Sequence, residues 1–256
     1  MTRDGRGVVW WMGGAVFVFL YLPLVVLFVL SFNDSKLSVR WQGWTMKWYV
    51  QLFQDTPLWD SLWVSLTVAG WSTLLATLVG VAAAIGLERR PHRGAEAVMM
   101  VPLVMPELIL GVAFMLCFAW LHVPLGRLTV TLAHAAFNAP LVMMLVRARL
   151  RKLPPALEEA ALDLGATPWQ AFRHVTLPLL GPAMVGAALL SCAVSLDDFL
   201  VTFFTTGPGA TTLPLRVYSN IRAGVTPELN ALASLMVVAS MVVVAAALWL
   251  QRTREA

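Results

Sequence analysis

Residues 147–178 read RARLRKLPPALEEAALDLGATPWQAFRHVTLP, and this stretch contains two predicted helices separated by a glycine. Pro154 and Pro155 indicate the start of the first helix, because proline is tolerated in the first turn, where the backbone amide has no partner. Apolar positions follow at helical spacing: Leu157, Ala160, Ala161 and Leu164. Gly165 predicts the end of this helix as its C-cap.

The second helix of the stretch has its own start signal. Thr167 and Gln170 form a capping-box pattern with Pro168 between them, which predicts a short helix through His174. The stretch is therefore predicted to be a helical hairpin. On these residues alone two interpretations stay open: the hairpin is a solvated surface feature, or its alanine-rich face docks into a groove on another protein.

The chain on both sides of the hairpin is strongly apolar. Of its 256 residues, 59% are hydrophobic and only 12% are charged, with a mean hydropathy of +0.76. A soluble domain contains roughly 45–50% apolar residues, so this composition indicates a membrane protein. A spanning helix needs about 20 apolar residues, because the bilayer core offers the backbone no partner. Six stretches qualify: 8–31, 60–87, 96–121, 128–146, 179–205 and 231–250.

Residues 1–256 are accordingly predicted to form a single all-α transmembrane domain of six helices, surrounded by membrane lipid. The basic residues predict its orientation, since Lys and Arg accumulate in cytoplasmic loops. With the N-terminus inside, 12 of the 18 Lys and Arg are cytoplasmic: Arg3, Arg6, Arg89, Arg90, Arg93, Arg147, Arg149, Arg151, Lys152, Arg173, Arg252 and Arg254. Both termini and the hairpin loop 147–178 are therefore predicted to be cytoplasmic.

Motifs for several other functions are missing from the sequence. The four histidines have no metal-ligand spacing, and Cys117 and Cys192 fall within predicted spans, where we expect packing residues. No nucleophile and base pair or phosphate-binding loop occurs, so neither catalysis nor ATP hydrolysis by this chain is expected. No basic water-facing fold of the kind that binds nucleic acid is visible. The sequence predicts no metal site and no cofactor.

Three carboxylates lie in the interior of the predicted spans, away from their first residues. Asp197 and Asp198 occur in AVSLDDFLVTFF (193–204), and Glu107 occurs in PLVMPELILG (102–111). An ionised side chain at the bilayer centre costs about 2.5–3.5 kcal/mol on insertion scales, so such residues usually face a cavity or a partner. No Lys or Arg lies inside the apolar cores, which predicts a cationic substrate as the counter-charge.

Adjacent residues on a helix point about 100° apart, so only one of the two aspartates is expected to face the path. With 193–204 taken as one helix, Ser195 and Thr202 share a face with Asp198, which favours Asp198 and Ser195 as path residues. The alternative is that the acids bind helix ends or partner arginines, or are protonated. His134 and Asn138, one turn apart in the fourth span, either line the path or form an interhelical contact.

Trp48 lies in the tryptophan-rich segment 31–60, which is predicted to be on the outer side of the membrane. This segment is either an aromatic belt at the interface, or Trp48 and Tyr49 line an external mouth of the path.

The hairpin also carries a family signature. Glu159, Ala160, Ala161, Gly165, Val175, Leu177 and Pro178 match the EAA motif of permease subunits of bacterial ABC importers, with valine in place of the usual isoleucine. The stretches YLPLVVLFVLSFNDSKL, EEAALDLGAT and SLDDFLVTFFTTGPGATTLPLRVYSNIRAGVTPELNALA resemble spermidine and putrescine permeases over nearly the full length.

This resemblance implies a type I ABC importer fold in the bacterial inner membrane. It implies assembly with a second related permease, two ATPase subunits and a periplasmic polyamine-binding protein. It also implies that the hairpin docks on the ATPase, with these coupling residues: Glu159, Ala160, Ala161, Gly165, Leu177 and Pro178.

Other functions stay open. Related permeases share the signature, so the solute is alternatively an amino acid, an opine or thiamine. A secondary transporter in which Glu107 or Asp197 carries a coupled proton is a further alternative.

Overall fold

The computed structural model describes residues 3–35, 40–224 and 226–255, and the fold is almost entirely helical. The helices are α1 (Arg3–Leu30), α2 (Lys47–Gln54), α3 (Thr56–Arg89), α4 (Arg93–Val104), α5 (Glu107–Trp120), α6 (Arg127–Leu150), α7 (Ala156–Asp163), α8 (Pro168–Ala171), α9 (Leu177–Asp197), α10 (Leu200–Thr205), α11 (Leu213–Ala223) and α12 (Pro227–Glu255). A π-helical segment, Phe172–Thr176, joins α8 to α9. The chain divides into two compact units, Met1–Trp59 with Val217–Ala256, and Asp60–Arg216.

Four helical stretches within the described residues are long and apolar enough to span a membrane: Trp10–Leu30, Thr56–Arg89, Arg127–Leu150 and Pro168–Asp197. They correspond to the first, second, fourth and fifth predicted spans. The sixth predicted span, 231–250, lies in α12, whose described apolar stretch is Pro227–Val242; the side chains beyond it lie outside the described part of the chain.

The span predicted over 96–121 is a broken helix, and so is the span over 179–205, where the prediction of one helix through 193–204 is wrong. In the first, α4 and α5 meet at an angle of 112°, so at most five of the six predicted spans are supported by the described helices. In the second, α9 ends at Asp197 and α10 begins at Leu200. Each of these two spans is therefore broken in its interior.

The two breaks have different physical causes. Pro106 follows Met105, whose backbone is extended (φ −73°, ψ 140°), because proline disfavours the helical conformation of the residue before it. At the second break no proline is involved. Asp198 is extended (φ −65°, ψ 126°), and its carboxylate accepts hydrogen bonds from the amides of Thr202 (2.8 Å) and Val201 (3.4 Å). Asp198 thereby accepts hydrogen bonds from amides in the first turn of α10, as the side chain of an N-cap residue does.

In the unit formed by Met1–Trp59 and Val217–Ala256, α12 packs against α1 and α2. The connection between α1 and α2 is organised around Asn33, which is fully buried. Its side chain donates to the Arg40 carbonyl (2.9 Å) and accepts from the Gln42 amide (2.9 Å), while its own carbonyl accepts from Trp48 Nε1 (2.7 Å). Lys36, in the same connection, lies outside the described residues.

In the unit Asp60–Arg216, α6 is the central helix and packs against α4, α5, α9 and α10. Its largest fully buried apolar side chains are Val130, Val142, Met143 and Val146. The crossing of α3 over α6 is close, since a Cβ placed on Gly80 would lie 2.6 Å from the Ala139 carbonyl oxygen. Small residues at such a crossing let two membrane helices approach each other.

The loop after α10 makes an even closer backbone contact. A Cβ on Gly207 would lie 2.0 Å from the Leu125 carbonyl oxygen, so Gly207→Ala requires the backbone to move. We expect this change to destabilise the protein by roughly 1–3 kcal/mol, measured as a lower thermal unfolding midpoint in detergent. The matched control is Gly181→Ala, because nothing lies within 4 Å of its added Cβ and it lies away from this loop. Equal midpoints for the two variants would contradict the close contact.

Candidate functional site

Both helix breaks border one cavity in the unit Asp60–Arg216. Its volume is about 680 Å³. Its lining residues are Pro102, Leu103, Met105, Pro106, Glu107, Leu110, Phe137, Asn138, Leu141, Val194, Asp197, Asp198, Phe199, Leu200 and Val201. The lining thus contains all three predicted acids and, among the described residues, no Lys or Arg. The two distant acidic stretches predicted from the sequence meet at this one site.

Asp197 and Glu107 are the exposed acids of the cavity. Neither makes a hydrogen bond or an ion pair within the described ranges of the chain. Asp197 is the last residue of α9, where the unpaired backbone carbonyls give the helix end a partial negative charge. This end of the cavity therefore favours a cation.

Asp198 occupies a different environment from its neighbour. Its side chain is only 6% exposed, and Oδ2 lies 3.2 Å from His134 Nε2. The same oxygen accepts hydrogen bonds from the Thr202 amide and hydroxyl, both at 2.8 Å. The assumption that Asp198 continues the helix of Ser195 is wrong, because α9 ends one residue earlier. Asp198 lines the cavity wall with its carboxylate already hydrogen-bonded, and its role in the path stays a prediction.

Ser195 does not reach the cavity. It is 5% exposed, and its Oγ lies 2.7 Å from His134 Nδ1 and 3.0 Å from Ser72 Oγ. His134 is fully buried and forms an interhelical contact, which was one of the two interpretations of its position. Asn138, one turn later, is also fully buried and lines the cavity, yet neither polar atom of its side chain has a partner among the described residues.

Trp48 is placed in the other unit, on α2. It is 6% exposed and donates its indole N–H to Asn33, so its indole ring packs in the interior of that unit. Trp48 is absent from the lining of the cavity described above.

The predicted hairpin is present. Gly165 has φ +90°, a conformation that favours glycine. Two backbone hydrogen bonds close the end of α7. The Gly165 amide donates to the Leu162 carbonyl (2.9 Å), and the Ala166 amide donates to the Ala161 carbonyl (3.1 Å). Thr167 Oγ1 accepts from the Gln170 amide, as the capping-box pattern predicts. The prediction that the second helix stops at His174 is wrong, because the π-helical segment continues it into α9.

The hairpin exposes large apolar side chains at its turn. Leu164 is 90% exposed and Trp169 is 66% exposed. Glu159 is exposed and makes no polar contact within the described part of the chain, and Ala160 lies next to it on α7. Among the other residues of the signature, Val175 lies in the π-helical segment, and Leu177 and Pro178 begin α9.

Sequence reasoning missed the contacts that hold the hairpin against the spanning helices. Glu158, the neighbour of the signature residue Glu159, accepts hydrogen bonds from Arg89 of α3 (2.9 Å) and from the Thr176 hydroxyl (2.8 Å). The Arg89 guanidinium also lies 5.2 Å from the centre of the Phe172 ring. In the sequence Arg89 indicates only the orientation of the chain, because no local pattern relates it to a residue 69 positions away.

A second ion-pair cluster was also missed. Arg147, near the end of α6, is 9% exposed and contacts Glu88 at 2.7 Å and Glu96 at 2.6 Å. Arg151 contacts the same Glu88 carboxylate at 3.0 Å. This cluster joins the ends of α3, α4 and α6 beside the hairpin.

The sequence and the fold are similar to those of known transport proteins. A family model described as the binding-protein-dependent transport system inner membrane component matches residues 76–255. The chain is 42% identical over 230 residues to the putrescine transport system permease protein PotI of Escherichia coli K12, covering 86% of this chain and 82% of PotI. It is 36% identical over 243 residues to the spermidine/putrescine transport system permease protein PotC of the same strain, covering 94% and 92%.

A solved structure has a similar fold at low sequence identity. It is a chain of a bacterial alginate ABC transporter in complex with an alginate pentasaccharide-bound periplasmic protein. The two chains superpose with a TM-score of 0.70 at 20% identity, covering 94% of this chain and 92% of the other.

Proposed function

Since the chain belongs to the family of binding-protein-dependent transport system inner membrane components, we propose that it is the permease subunit of an ATP-driven importer of polyamines. The resemblance inferred from the EAA signature and the predicted fold class, a type I ABC importer permease, are both confirmed by the family match and the structural neighbour. The cavity supports the substrate class of this proposal.

The observation that carries this proposal is the acidic cavity at the two helix breaks. Glu107 and Asp197 present carboxylates without a counter-charge in the described chain, and no Lys or Arg among the described residues lines the cavity. The ammonium groups of a polyamine would supply that counter-charge, and its methylene chain would pack against Phe137 and Phe199. The similarity to PotI and PotC, whose names specify putrescine and spermidine transport, supports the same substrate class.

The hairpin is proposed to dock on a separate ATPase subunit. Leu164 and Trp169 provide an exposed apolar contact, and the free carboxylate of Glu159 provides a charged one. Two ATPase subunits, a second related permease and a periplasmic polyamine-binding protein complete the proposed assembly, with both termini on the ATPase side. The alginate transporter, captured with its periplasmic protein, supports the binding-protein partner by analogy of fold.

The test is reconstitution of the whole transporter in proteoliposomes. We expect uptake of radiolabelled putrescine or spermidine that requires both ATP and the binding protein. Uptake of an amino acid instead would overturn the substrate class. Polyamine uptake driven by a proton gradient without the ATPase subunits would overturn the mechanism in favour of secondary transport.

The contact between Arg89 and Glu158 gives a prediction about coupling. Glu158→Gln removes the charge that ties α7 to α3, and we expect ATP-driven uptake to fall about two- to fivefold, because a partly exposed ion pair contributes only about 0–1 kcal/mol. The double variant that combines Arg89→Glu with Glu158→Arg exchanges the two charges, and it is expected to restore part of the uptake.

Asp163→Asn is the matched control for this pair. Asp163 is an exposed acid of the same helix that makes no polar contact within the described residues. Equal uptake by the Asp163→Asn and Glu158→Gln variants would show that the contact with α3 does not affect coupling.

A further inference from the structure

The break between α9 and α10 needs an external support. The break interrupts the backbone hydrogen bonding of a helix, and groups freed in this way must find other partners inside a membrane. Helix α10 has only 6 residues, too few for an isolated helix to be stable. Contacts with neighbouring helices must therefore fix its position.

His134 of α6 contacts both sides of this break. Its Nδ1 lies 2.7 Å from Ser195 Oγ on α9. Its Nε2 lies 2.9 Å from Thr202 Oγ1 on α10 and 3.2 Å from Asp198 Oδ2 in the break itself. Because the imidazole ring is planar and rigid, the two nitrogens fix the end of α9 and the start of α10 at a set separation.

Helix α5 supports α10 from another direction. A Cβ on Gly111 would lie 2.9 Å from Phe204 Cδ2 and 3.2 Å from the Leu200 carbonyl oxygen, so α5 and α10 are in close contact. With α5 packed closely and His134 fully buried, α10 has little freedom to shift. His134 itself is not among the residues that line the cavity.

We propose that His134 is a positioning residue that determines which of the two aspartates presents a carboxylate without a partner to the cavity. By pairing with the Asp198 carboxylate and bonding Ser195, it holds the chain so that Asp197 alone of the two presents an unpaired carboxylate. The measurement of polyamine uptake rests on the proposed function, whereas the contacts of His134 do not.

The test compares two substitutions that keep different halves of the contact. The amide of His134→Gln reaches about as far as Nε2 and can still donate to Asp198, whereas that of His134→Asn reaches only as far as Nδ1. We expect His134→Gln to retain polyamine uptake within about threefold of the parent, and His134→Asn and His134→Leu to lose at least tenfold, with unchanged copurification of the ATPase subunits.

A chemical readout separates positioning from general damage to the fold. In a background with Cys117→Ser and Cys192→Ser, Asp197→Cys places a thiol at the cavity. We expect an uncharged, water-soluble thiol reagent to modify this thiol at least fivefold more slowly when His134→Asn is added, and at the parent rate when His134→Gln is added. Equal rates in the parent, Gln and Asn backgrounds would overturn the proposal.

Compensation provides the second arm of the experiment. Asp198→Asn removes the carboxylate charge that His134→Leu leaves unpaired, while its side-chain oxygen can still cap α10. The double variant is expected to regain at least half of the parent labelling rate at position 197, and a rate no higher than that of His134→Leu alone would contradict the proposal. The labelling rates are measured without polyamine, so they test the role of His134 alone. If the rates are as expected but the transporter takes up no polyamine, the proposed substrate is overturned and the role of His134 stands.

Discussion

Replacing Gly165 with valine is expected to lower ATP-driven uptake at least tenfold while the transporter still assembles. Gly165 has φ +90°, where a β-branched residue is strained by roughly 1–3 kcal/mol, so α7 and α8 cannot keep their relative directions. The apolar side chains on either side of the turn, Leu164 and Trp169, then no longer form one docking surface. The measurements are substrate uptake in proteoliposomes and stimulation of ATP hydrolysis by the loaded binding protein, both of which should be lost.

Gly165→Asn is the matched control, since asparagine tolerates positive φ better than valine does. We expect it to keep a larger share of both activities. Gly181→Val adds the same side chain to α9 where nothing lies within 4 Å of the new Cβ, and it should leave coupling intact. Normal coupled uptake by the Gly165→Val variant would refute the assignment of the hairpin as the coupling element.

Asp197→Asn is expected to reduce polyamine uptake at least tenfold without loss of assembled transporter. Asp197 is exposed in the cavity with no partner in the described chain, so its charge is available to a passing ammonium group. Asp60→Asn removes the same charge from an exposed residue outside the cavity and should leave uptake unchanged. If both variants transport equally well, Asp197 is not part of the path.

Asp198→Asn distinguishes the two neighbouring aspartates. Because Asp198 is paired with His134, its neutralisation should lower the thermal unfolding midpoint as well as uptake. Asp197→Asn should lower uptake with little change in that midpoint. The opposite pattern would reverse the roles assigned to the pair.

The hairpin was predictable because its signals are local. Gly165, Thr167 and Gln170 each act on backbone groups within a few residues, so the sequence specifies the turn and the cap without reference to the rest of the fold. Pro106 likewise marks a helix interruption. The break at Asp198 has no such residue. An aspartate that caps a new helix cannot be distinguished in the sequence from an aspartate that projects from a continuous helix.

The contacts around the cavity were not predictable for a related reason. His134 and Ser195 are 61 residues apart, and Arg89 and Glu158 are 69 apart. Such pairs depend on how the spanning helices pack, and hydrophobic periodicity within each helix carries no information about its partners. The acids could be identified as functional candidates because charge is costly in a membrane, but which of them already has a hydrogen-bond partner depends on a histidine from another helix.

The helical path from Pro168 to Asp197 runs without a break through α8, the π-helical segment and α9. Its 30 residues extend about 45 Å at 1.5 Å per residue, with the turn of the hairpin at one end and the exposed carboxylate at the other. A tilt of about 10° around the midpoint would displace each end by about 4 Å in opposite directions. A movement of the hairpin would thus also displace Asp197, because one helical path connects them. The π-helical segment Phe172–Thr176 is the place where this path would bend first.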